Sequence, residues 1–307
     1  MIDAPGIYTI PASVYHADPV AAAPSLSRSI AKQLIQASPA HAYVAHPRLG
    51  GLQQSAATSD DAMDIGSAVH SGFLDGEDII VHVPFKTFQS NAAKEMRDDA
   101  LQQGKIPLKT KDRDKALRII EALETFRAQT GLFTKGKPEQ SLIWDEGDHW
   151  ARCRVDWLPD DPAAPLLDLK TTEGLATLQS WSRRCFDVGA DIQASMYARG
   201  CEFIRGEPPE GMLFVVIEQS LPHGIRVFGL DPVSLEMGAA RAAAARAVWV
   251  QCMRANSWPG YARETEWVLP PPWIVRGWEE SKSGGFARAV EDTAFIERMI
   301  AAGQWGG

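Results

Sequence analysis

The chain has 307 residues, of which 45% are hydrophobic and 23% charged, so its composition is that of a globular protein with one large domain or two small ones. The formal net charge of −8 excludes nucleic-acid binding through the overall field of the protein, so such binding would need a local basic lining or bound metal ions. The four cysteines form no C-x-x-C pair, the N-terminal residues lack the basic start and apolar core expected of a signal peptide, and no apolar run approaches about 20 residues. These absences disfavour a zinc or iron–sulfur site and a membrane partner, and they predict a cytoplasmic protein.

The N-terminal part is predicted to be helical after a short strand-like run at residues 7–15. Ser25 is a suitable N-cap for a helix over residues 26–37. Residues 38–39, Ser-Pro, supply the cap and first residue of another helix. Residues 50–61 are polar and are predicted to form a loop.

The next predicted helix spans residues 62–74. Gly66 and His70 are four positions apart and therefore lie on one face of it. The glycine would allow the helix to approach a sheet closely. His70 fits two interpretations, a hydrogen-bonded residue at a helix–sheet contact or a residue of a metal site.

A strand is predicted at residues 79–85, followed by two helical segments within 89–130 that are broken near 104–107. Gly131 supplies the stop of the second segment. Basic residues concentrate in this region, and they fit either a solvated face or a patch that contacts a DNA backbone. The buried face of the second segment is predicted at Leu117, Ile120 and Leu123. The basic residues are Lys105, Lys109, Lys111, Arg113, Lys115 and Arg118.

Two strands, at residues 139–144 and 150–157, are separated by the turn cluster 145–148, which predicts a hairpin. Arg152 and Arg154 alternate with apolar neighbours, so one face of the second strand is basic. A third strand is predicted after the next loop, at residues 166–170.

Each of these three strands carries one acidic residue: Glu139, Asp156 and Asp168. Lys170 follows two positions after Asp168, so both side chains leave the same face of the strand. Carboxylates from neighbouring strands beside an ammonium are what a magnesium site for phosphodiester hydrolysis requires. Each carboxylate alone could equally be a surface residue or the start of a loop, and the ordered set is the stronger signal.

A helix is predicted over residues 187–204, with Gln193 and Tyr197 on one face. This pair fits either a polar helix edge or a contact near an active site. Arg183 and Arg184 precede the helix. Two further strands (212–218 and 225–230) and an alanine-rich helix (234–254) complete a mixed sheet flanked by helices.

The composition changes from residue 260 onward. Residues 269–273 are polyproline-like, 281–285 read as a flexible link, and 287–302 can form one amphipathic helix. This tail is predicted to pack on its own domain or on a neighbouring subunit, with a partner protein as the third alternative.

The ordered motifs resemble the PD-(D/E)xK nuclease superfamily, and within it the nuclease domain of exodeoxyribonuclease VIII, the RecE type. The resemblance spans about residues 6–255, and Val155 stands where many members have proline. It implies an α/β (α+β) fold with a restriction-endonuclease-like core: a mixed central sheet flanked by helices with a helical N-terminal part. The nuclease domain would be residues 1–259, with a catalytic core at about 62–255 and a C-terminal tail at 260–307. The matching residues are Gly66, His70, Glu139, Asp156, Asp168, Leu169, Lys170, Gln193 and Tyr197.

The resemblance implies that Asp168 is the central metal ligand, Asp156 the second ligand and the carbonyl of Leu169 a third. Glu139 would hold a second ion with His70 nearby. Residues predicted to contact DNA are Gln193, Tyr197, Arg152, Arg154, Thr171, Arg183 and Arg184. Lys170 would polarise the attacking water and could act as a base, because nearby cations lower the pKa of an ammonium.

The activity implied is Mg²⁺-dependent digestion of linear double-stranded DNA, 5′ to 3′, with one or two ions and with Mn²⁺ as a substitute. The resemblance also implies a homo-oligomeric ring, a tetramer, and a role in phage or prophage recombination with a single-strand annealing protein. The alternatives are a structure-specific or single-strand endonuclease of the same fold, or a DNA-binding module without turnover. The intact Asp-x-Lys set argues against the last of these.

Overall fold

The computed structural model describes residues 1–50 and 65–283. Residues 1–260 form one compact unit and residues 261–307 form a second. The strands are β1 (Gly6–Tyr8), β2 (Leu26–Ser27), β3 (Ile80–Val83), β4 (Ile106–Lys109), β5 (Gly136–Asp145), β6 (Trp150–Pro159), β7 (Leu166–Thr172), β8 (Met212–Glu218) and β9 (Ile225–Phe228). The helices are α1 (Ala12–His16), α2 (Arg28–Gln36), α3 (Pro39–Ala45), α4 (Ile65–Leu74), α5 (Asn91–Gln102), α6 (Thr110–Thr130), α7 (Leu178–Val188), α8 (Ala190–Arg205), α9 (Pro232–Ala255) and α10 (Pro272–Ser283).

A mixed seven-stranded sheet forms the centre of the first unit, in the order β1-β5-β6-β7-β8-β9, with β2 pairing to β6. Strands β7 and β8 are parallel and in register from Leu166 to Thr172, whereas β5 and β6 form the predicted antiparallel hairpin. Strands β6 and β7 share a single registered pair, Trp157 with Leu167. The two strands therefore diverge beyond that point, and a fork opens in the sheet. A separate two-stranded parallel sheet is made by β3 and β4.

Helices cover both faces of the sheet because successive strand residues alternate between two cores. Helices α2, α7, α8 and α9 pack on one face in a core that includes Leu166, Ile192 and Trp249. Helices α4 and α6 pack on the other, in a core that includes Leu169 and Ile120. The predicted fold class is confirmed: a mixed sheet flanked by helices.

A close approach of two helices positions α4. Gly72 of α4 faces α6, and a Cβ at this position would lie 2.7 Å from Cδ1 of Ile120. The pattern also predicts the end of α6 correctly, because Gly131 is left-handed at φ 72 and caps the helix. Of the residues predicted to form the buried face of α6, Ile120 and Leu123 are buried and Leu117 is half-buried.

Several boundaries differ from the sequence predictions. The strand-like run at the start of 7–15 is β1, and α1 follows it within the same stretch. The cap of α2 is Ser27 rather than Ser25, whose hydroxyl and amide instead donate to the carboxylate of Asp18. The predicted break near 104–107 contains strand β4. The helix predicted from residue 187 is the second of two, because Gly189, at φ 74, separates α7 from α8.

In the second unit, α10 begins at Pro272 within the stretch predicted to be polyproline-like. Proline is tolerated there because the first turn of a helix needs no amide donor. The loop predicted at 50–61, apart from Gly50, and the helix predicted at 287–302 lie outside the described residues. Among the helices of the described ranges, none combines the length and apolarity needed to cross a lipid bilayer.

Candidate active site

A cleft of about 1390 Å³ opens where α1, α2 and α4 meet strands β5, β6 and β7. Its lining carries more Arg and Lys than Asp and Glu, so it is a local basic surface on an acidic protein. Three of its basic residues are ion-paired with Asp18, Glu139 or Asp168, so the lining meets only in part the requirement that the net charge of −8 places on a nucleic-acid binder. The basic residues are Arg28, Arg152, Arg154, Lys170 and Arg184, and the acidic ones are Asp75, Glu139 and Asp156.

Glu139 and Asp156 stand opposite each other in the β5–β6 hairpin, because the registered pairs continue on both sides of them. Glu139 has a φ of 53, in the left-handed region that non-glycine residues seldom adopt. The local distortion interrupts the ladder between the two strands at this point. Two carboxylates are thereby held side by side at the floor of the cleft.

His70 joins these two carboxylates from α4. Its Nε2 lies 2.9 Å from Oδ2 of Asp156, and its Nδ1 lies 3.3 Å from Oε1 of Glu139. Burial alone would lower the pKa of His70, but the carboxylates of Asp156 and Glu139 raise it to about 9. Burial would raise the pKa of Asp156, but the charges of His70 and Lys170 lower it to about 2. Burial raises the pKa of Glu139.

The group formed by His70, Glu139 and Asp156 fits a divalent cation. One potential ligand atom from each residue lies within 4.8 Å of the other two. Two carboxylates and one imidazole suit a divalent metal that accepts oxygen and nitrogen ligands. A cation there would replace the positive charge that protonated His70 supplies between the carboxylates.

Asp168 and Lys170 lie beside this group on β7, as their spacing predicts. Nζ of Lys170 is 2.6 Å from Oδ2 of Asp168, and Nε2 of Gln193 donates to Oδ1 at 2.5 Å. Asp168 is fully buried, and burial raises its pKa although Lys170 opposes the shift. Asp168 is outside the three-residue group, so its role as the central ligand remains a prediction.

Leu169 connects the two halves of the site. Its amide donates to Oδ2 of Asp156 at 2.8 Å, in the fork where β6 and β7 no longer pair. The amide and carbonyl of one strand residue point to the same side. The carbonyl of Leu169 is therefore directed toward β6, where Asp156 lies, so its oxygen is on the side on which it could bind a metal ion.

Three of the predicted DNA contacts, Gln193, Tyr197 and Arg152, are buried. Gln193 is 2% exposed, and its amide oxygen accepts from Arg28 at 3.1 Å while its nitrogen donates to Asp168. Tyr197 is buried and lines the cleft. Gln193 is thus placed to orient Asp168 rather than to reach into solvent.

The predicted basic contacts divide into two groups. Arg152 is 3% exposed, and its guanidinium is bound by Asp18 at 3.1 Å and by Ser25 at 2.6 Å, so its charge is used within the fold. Arg154 pairs with Glu139 and donates to the carbonyl of Ile10. Thr171 and Arg184 line the cleft, whereas Arg183 is exposed and is not part of its lining.

Arg28 is a site residue that the sequence did not single out. It begins α2, lines the cleft and donates both to Gln193 and to the carbonyl of Val188. Its partners are 165 and 160 positions away in the chain. No local pattern signals such a contact, because it depends on how α2 and α8 pack.

The mixed sheet, the strand-borne carboxylates and the Asp-x-Lys pair together define a PD-(D/E)xK-type protein. Residues 27–269 match the family described as a PDDEXK-like domain of unknown function, DUF3799, and the chain belongs to this family. The predicted relationship to the superfamily is confirmed.

A solved structure supports the same fold. The chain is similar to the crystal structure of a protein from Eubacterium rectale that is provisionally named an exonuclease. The TM-score is 0.58 at 15% identity, over 86% of this chain and 96% of the other. A likeness at this identity shows the fold alone. No curated protein matches the chain.

Proposed function

We propose that the protein is a divalent-metal-dependent deoxyribonuclease of the RecE type, which hydrolyses linear double-stranded DNA. One observation carries this proposal: His70, Glu139 and Asp156 converge within 4.8 Å, and the Asp168–Lys170 pair lies beside them in a basic cleft. The family description and the name of the Eubacterium rectale protein agree with a nuclease. The ordered motifs of the sequence favour the RecE type within that class.

Asp156 and Glu139 would hold the cation, with His70 as a further ligand or neighbour and with Asp168 and the carbonyl of Leu169 as candidate ligands. When bound, one or two Mg²⁺ or Mn²⁺ ions would supply Lewis acidity toward the scissile phosphate. The amide of Leu169 fixes the orientation of Asp156, and Gln193 fixes that of Asp168. Such outer contacts hold ligands in place before metal and substrate arrive.

Lys170 is the candidate for positioning and polarising the attacking water, and it could accept the proton of that water only after its own ammonium group had lost one. Its side chain is 26% exposed and lines the cleft, so water and a phosphate can both reach Nζ. Its ion pair with the buried Asp168 keeps the ammonium at the cleft wall. Arg28 and Arg184 line the same cleft and could offset phosphate charge during the reaction.

The substrate, assembly and biological role follow from the RecE resemblance. The expected activity is 5′-to-3′ digestion from DNA ends by a cytoplasmic homo-oligomer, a tetrameric ring, that acts with a single-strand annealing protein in phage or prophage recombination. A ring fits the charge distribution, because basic clefts can face a common channel while the outer surface stays acidic.

A digestion assay tests the proposal. Linear duplex DNA should be degraded with Mg²⁺ or Mn²⁺, and EDTA or the Asp168→Asn substitution should stop the reaction. Closed circular duplex should survive, whereas an endonuclease would cut it. Binding of DNA without any hydrolysis in either metal would exclude the enzyme and leave the non-catalytic alternative.

Two further measurements test the finer points. Duplexes labelled at either 5′ or 3′ ends should release the 5′ label first as mononucleotide. Light scattering on the purified protein should give the mass of four chains. Release of the 3′ label first, or a monomer at assay concentrations, would contradict the RecE type.

A further inference from the structure

A second, smaller cavity adjoins the cleft. It has a volume of about 90 Å³ and shares Lys170, Thr171 and Arg184 with the cleft lining. The loop after β7 and the first turns of α7 form its other walls. Any group that occupies this cavity would therefore lie directly beside the candidate catalytic lysine.

The walls of the cavity are apolar and its rim is cationic. Val216 of β8 and Trp181 of α7, both buried, and the exposed Leu175 line it, while Lys170 and Arg184 stand where it meets the cleft. Leu175 is 63% exposed, so part of its apolar surface is open to a ligand. The cavity thus offers an apolar surface to a flat group whose neighbouring part is anionic.

We propose that this cavity is a base pocket: it receives one nucleobase of the DNA strand that is cut in the cleft. The inference rests on the proposed nuclease function. A nucleotide consists of a base with apolar faces and an anionic phosphate. In the base pocket, the base would contact the apolar walls and the phosphate would lie near Lys170 and Arg184. Contact of a base with apolar and aromatic side chains is a general means of holding single-stranded nucleic acid.

The base pocket has room for one base. At about 10–15 Å³ for each water-sized position, its volume corresponds to roughly six to nine waters, which is more space than one pyrimidine ring occupies. A base that enters the pocket must leave its pairing partner, so the strand would be unpaired at the nucleotide next to Lys170, which suits a reaction at a DNA end.

Ser180 gives a matched pair of variants. It is exposed, lines the base pocket and accepts a hydrogen bond from Thr177 at the start of α7. Ser180→Phe should fill the base pocket, and Ser180→Ala should remove the hydroxyl without filling it. Neither substitution replaces a residue assigned to the metal or the candidate catalytic Lys170.

Binding can be followed without hydrolysis. The indole N–H of Trp181 is buried with no acceptor among the described residues, and the same holds for Trp249, which does not line the base pocket. The NMR signal of each indole N–H can be assigned because it disappears in the corresponding variant, Trp181→Phe or Trp249→Phe. In metal-free protein, thymidine 5′-monophosphate should shift the Trp181 signal but not the Trp249 signal, whereas 2-deoxyribose 5-phosphate should shift neither. The shift should persist in Ser180→Ala and vanish in Ser180→Phe.

Kinetics on DNA ends provide the second readout. Replacing the terminal base by an abasic site should lower kcat/KM of the wild-type protein roughly 5- to 150-fold, the range expected for loss of one base–side-chain contact. The Ser180→Phe variant should cut DNA with an intact terminal base and DNA with a terminal abasic site at similar low rates. The Ser180→Ala variant should still prefer the intact substrate.

The outcomes separate the two proposals. Equal rates on intact and abasic ends, or the same indole shift with deoxyribose 5-phosphate, would overturn the base pocket while the nuclease stands. Absence of any DNA hydrolysis together with a base-dependent shift would overturn the nuclease and leave a nucleotide-binding cavity. Absence of a Trp181 shift at saturating nucleotide would overturn the base pocket whatever the activity.

Discussion

Glu139 faces Asp156 across the β5–β6 hairpin, with His70 in contact with both carboxylates. Like charges that face each other across a hairpin are destabilising, so positive charge beside them stabilises the site. In the absence of a metal, protonated His70 and the guanidinium of Arg154 supply that charge. The arrangement makes metal binding measurable through stability as well as through activity.

Mn²⁺ or Mg²⁺ should raise the thermal stability of the wild-type protein, by about 2.7 kcal/mol at a concentration one hundred times Kd. Asp156→Asn should abolish most of this gain, because it removes a charge from the site. Asp75→Asn is the matched control, since Asp75 lines the cleft outside the three-residue group. A metal-dependent gain that survives in Asp156→Asn would place the ion elsewhere.

Lys170→Met should lower the rate of DNA hydrolysis at least about 100-fold, the lower range for loss of a proton-transfer group. Asp168→Asn should lower the rate by a comparable factor, because it removes a candidate metal ligand. Asp168→Asn should cost little stability, because burial already raises the pKa of Asp168 and the amide retains its shape. Ile192→Ala, in the fully buried core, should cost about 2–5 kcal/mol. Denaturant unfolding of both variants is the comparison; a larger loss in Asp168→Asn would mark Asp168 as structural.

Gln193→Ala should weaken metal-dependent activity about 10- to 100-fold, as expected for a residue that orients a ligand. Its amide links Arg28 to Asp168, and without it one oxygen of Asp168 loses its donor. Gln36→Ala is the control, because Gln36 donates to the carbonyl of Phe186 in an exposed contact. Activity should be measured over a Mn²⁺ titration. Identical titration curves for wild type and Gln193→Ala would exclude the positioning role.

Acid should destabilise the protein through His46, which lies outside the cleft lining. Its Nε2 bonds the carbonyl of Ser25, its Nδ1 accepts from the amide of Arg48, and burial lowers its pKa to about 4. The nearby Asp18 raises the pKa, whereas Arg48 and Arg152 lower it. An added proton on Nδ1 would face the Arg48 amide, a second donor.

Between pH 6.5 and about 4 the unfolded chain binds this proton and the folded protein does not. The stability that neutral His46 contributes is therefore present above pH 6.5 and is lost as the pH falls toward 4, by at most about 3 kcal/mol. His46→Asn keeps an acceptor for the Arg48 amide and cannot titrate. Urea unfolding at a series of pH values should show a shallower acid slope for His46→Asn, and parallel slopes would disprove the assignment.

Gly238→Ala should destabilise the protein although alanine favours helices by about 1 kcal/mol. A Cβ at Gly238 would lie 2.4 Å from the carbonyl oxygen of Asp191, a backbone atom that cannot turn away. Overpacking of this kind costs about 1–3 kcal/mol, so the clash should at least cancel the helix gain. Gly211→Ala, with nothing within 4 Å, is the neutral control. Thermal unfolding of the two variants decides the sign.

The strands and the acidic set could be predicted because their signals are local. A turn cluster between two apolar runs predicts the β5–β6 hairpin. The two-residue spacing of Asp168 and Lys170 predicts that their side chains lie on the same face of the strand. The fold class followed from the order of these elements. His70 could be linked to Glu139 only through the resemblance, because 69 positions of chain separate them.

The predictions failed where long-range packing decides the structure. Strand β4 pairs in parallel with β3, and the proline within it suggested a break. The cap of α2 moved to Ser27 because Ser25 is bound by Asp18. The bridge from Arg28 through Gln193 to Asp168 requires three distant segments to meet, and no periodicity encodes that.

The left-handed backbone at Glu139 complicates any alanine scan of this region. Replacement by alanine would remove the carboxylate and would also place a residue without a polar side chain at an unfavourable φ. A loss of activity or stability in this variant would therefore have two possible causes. Asparagine tolerates this conformation better than most residues and lacks the negative charge. Comparing Asn with Ala at position 139 therefore separates the chemistry of the side chain from the shape it imposes on the strand.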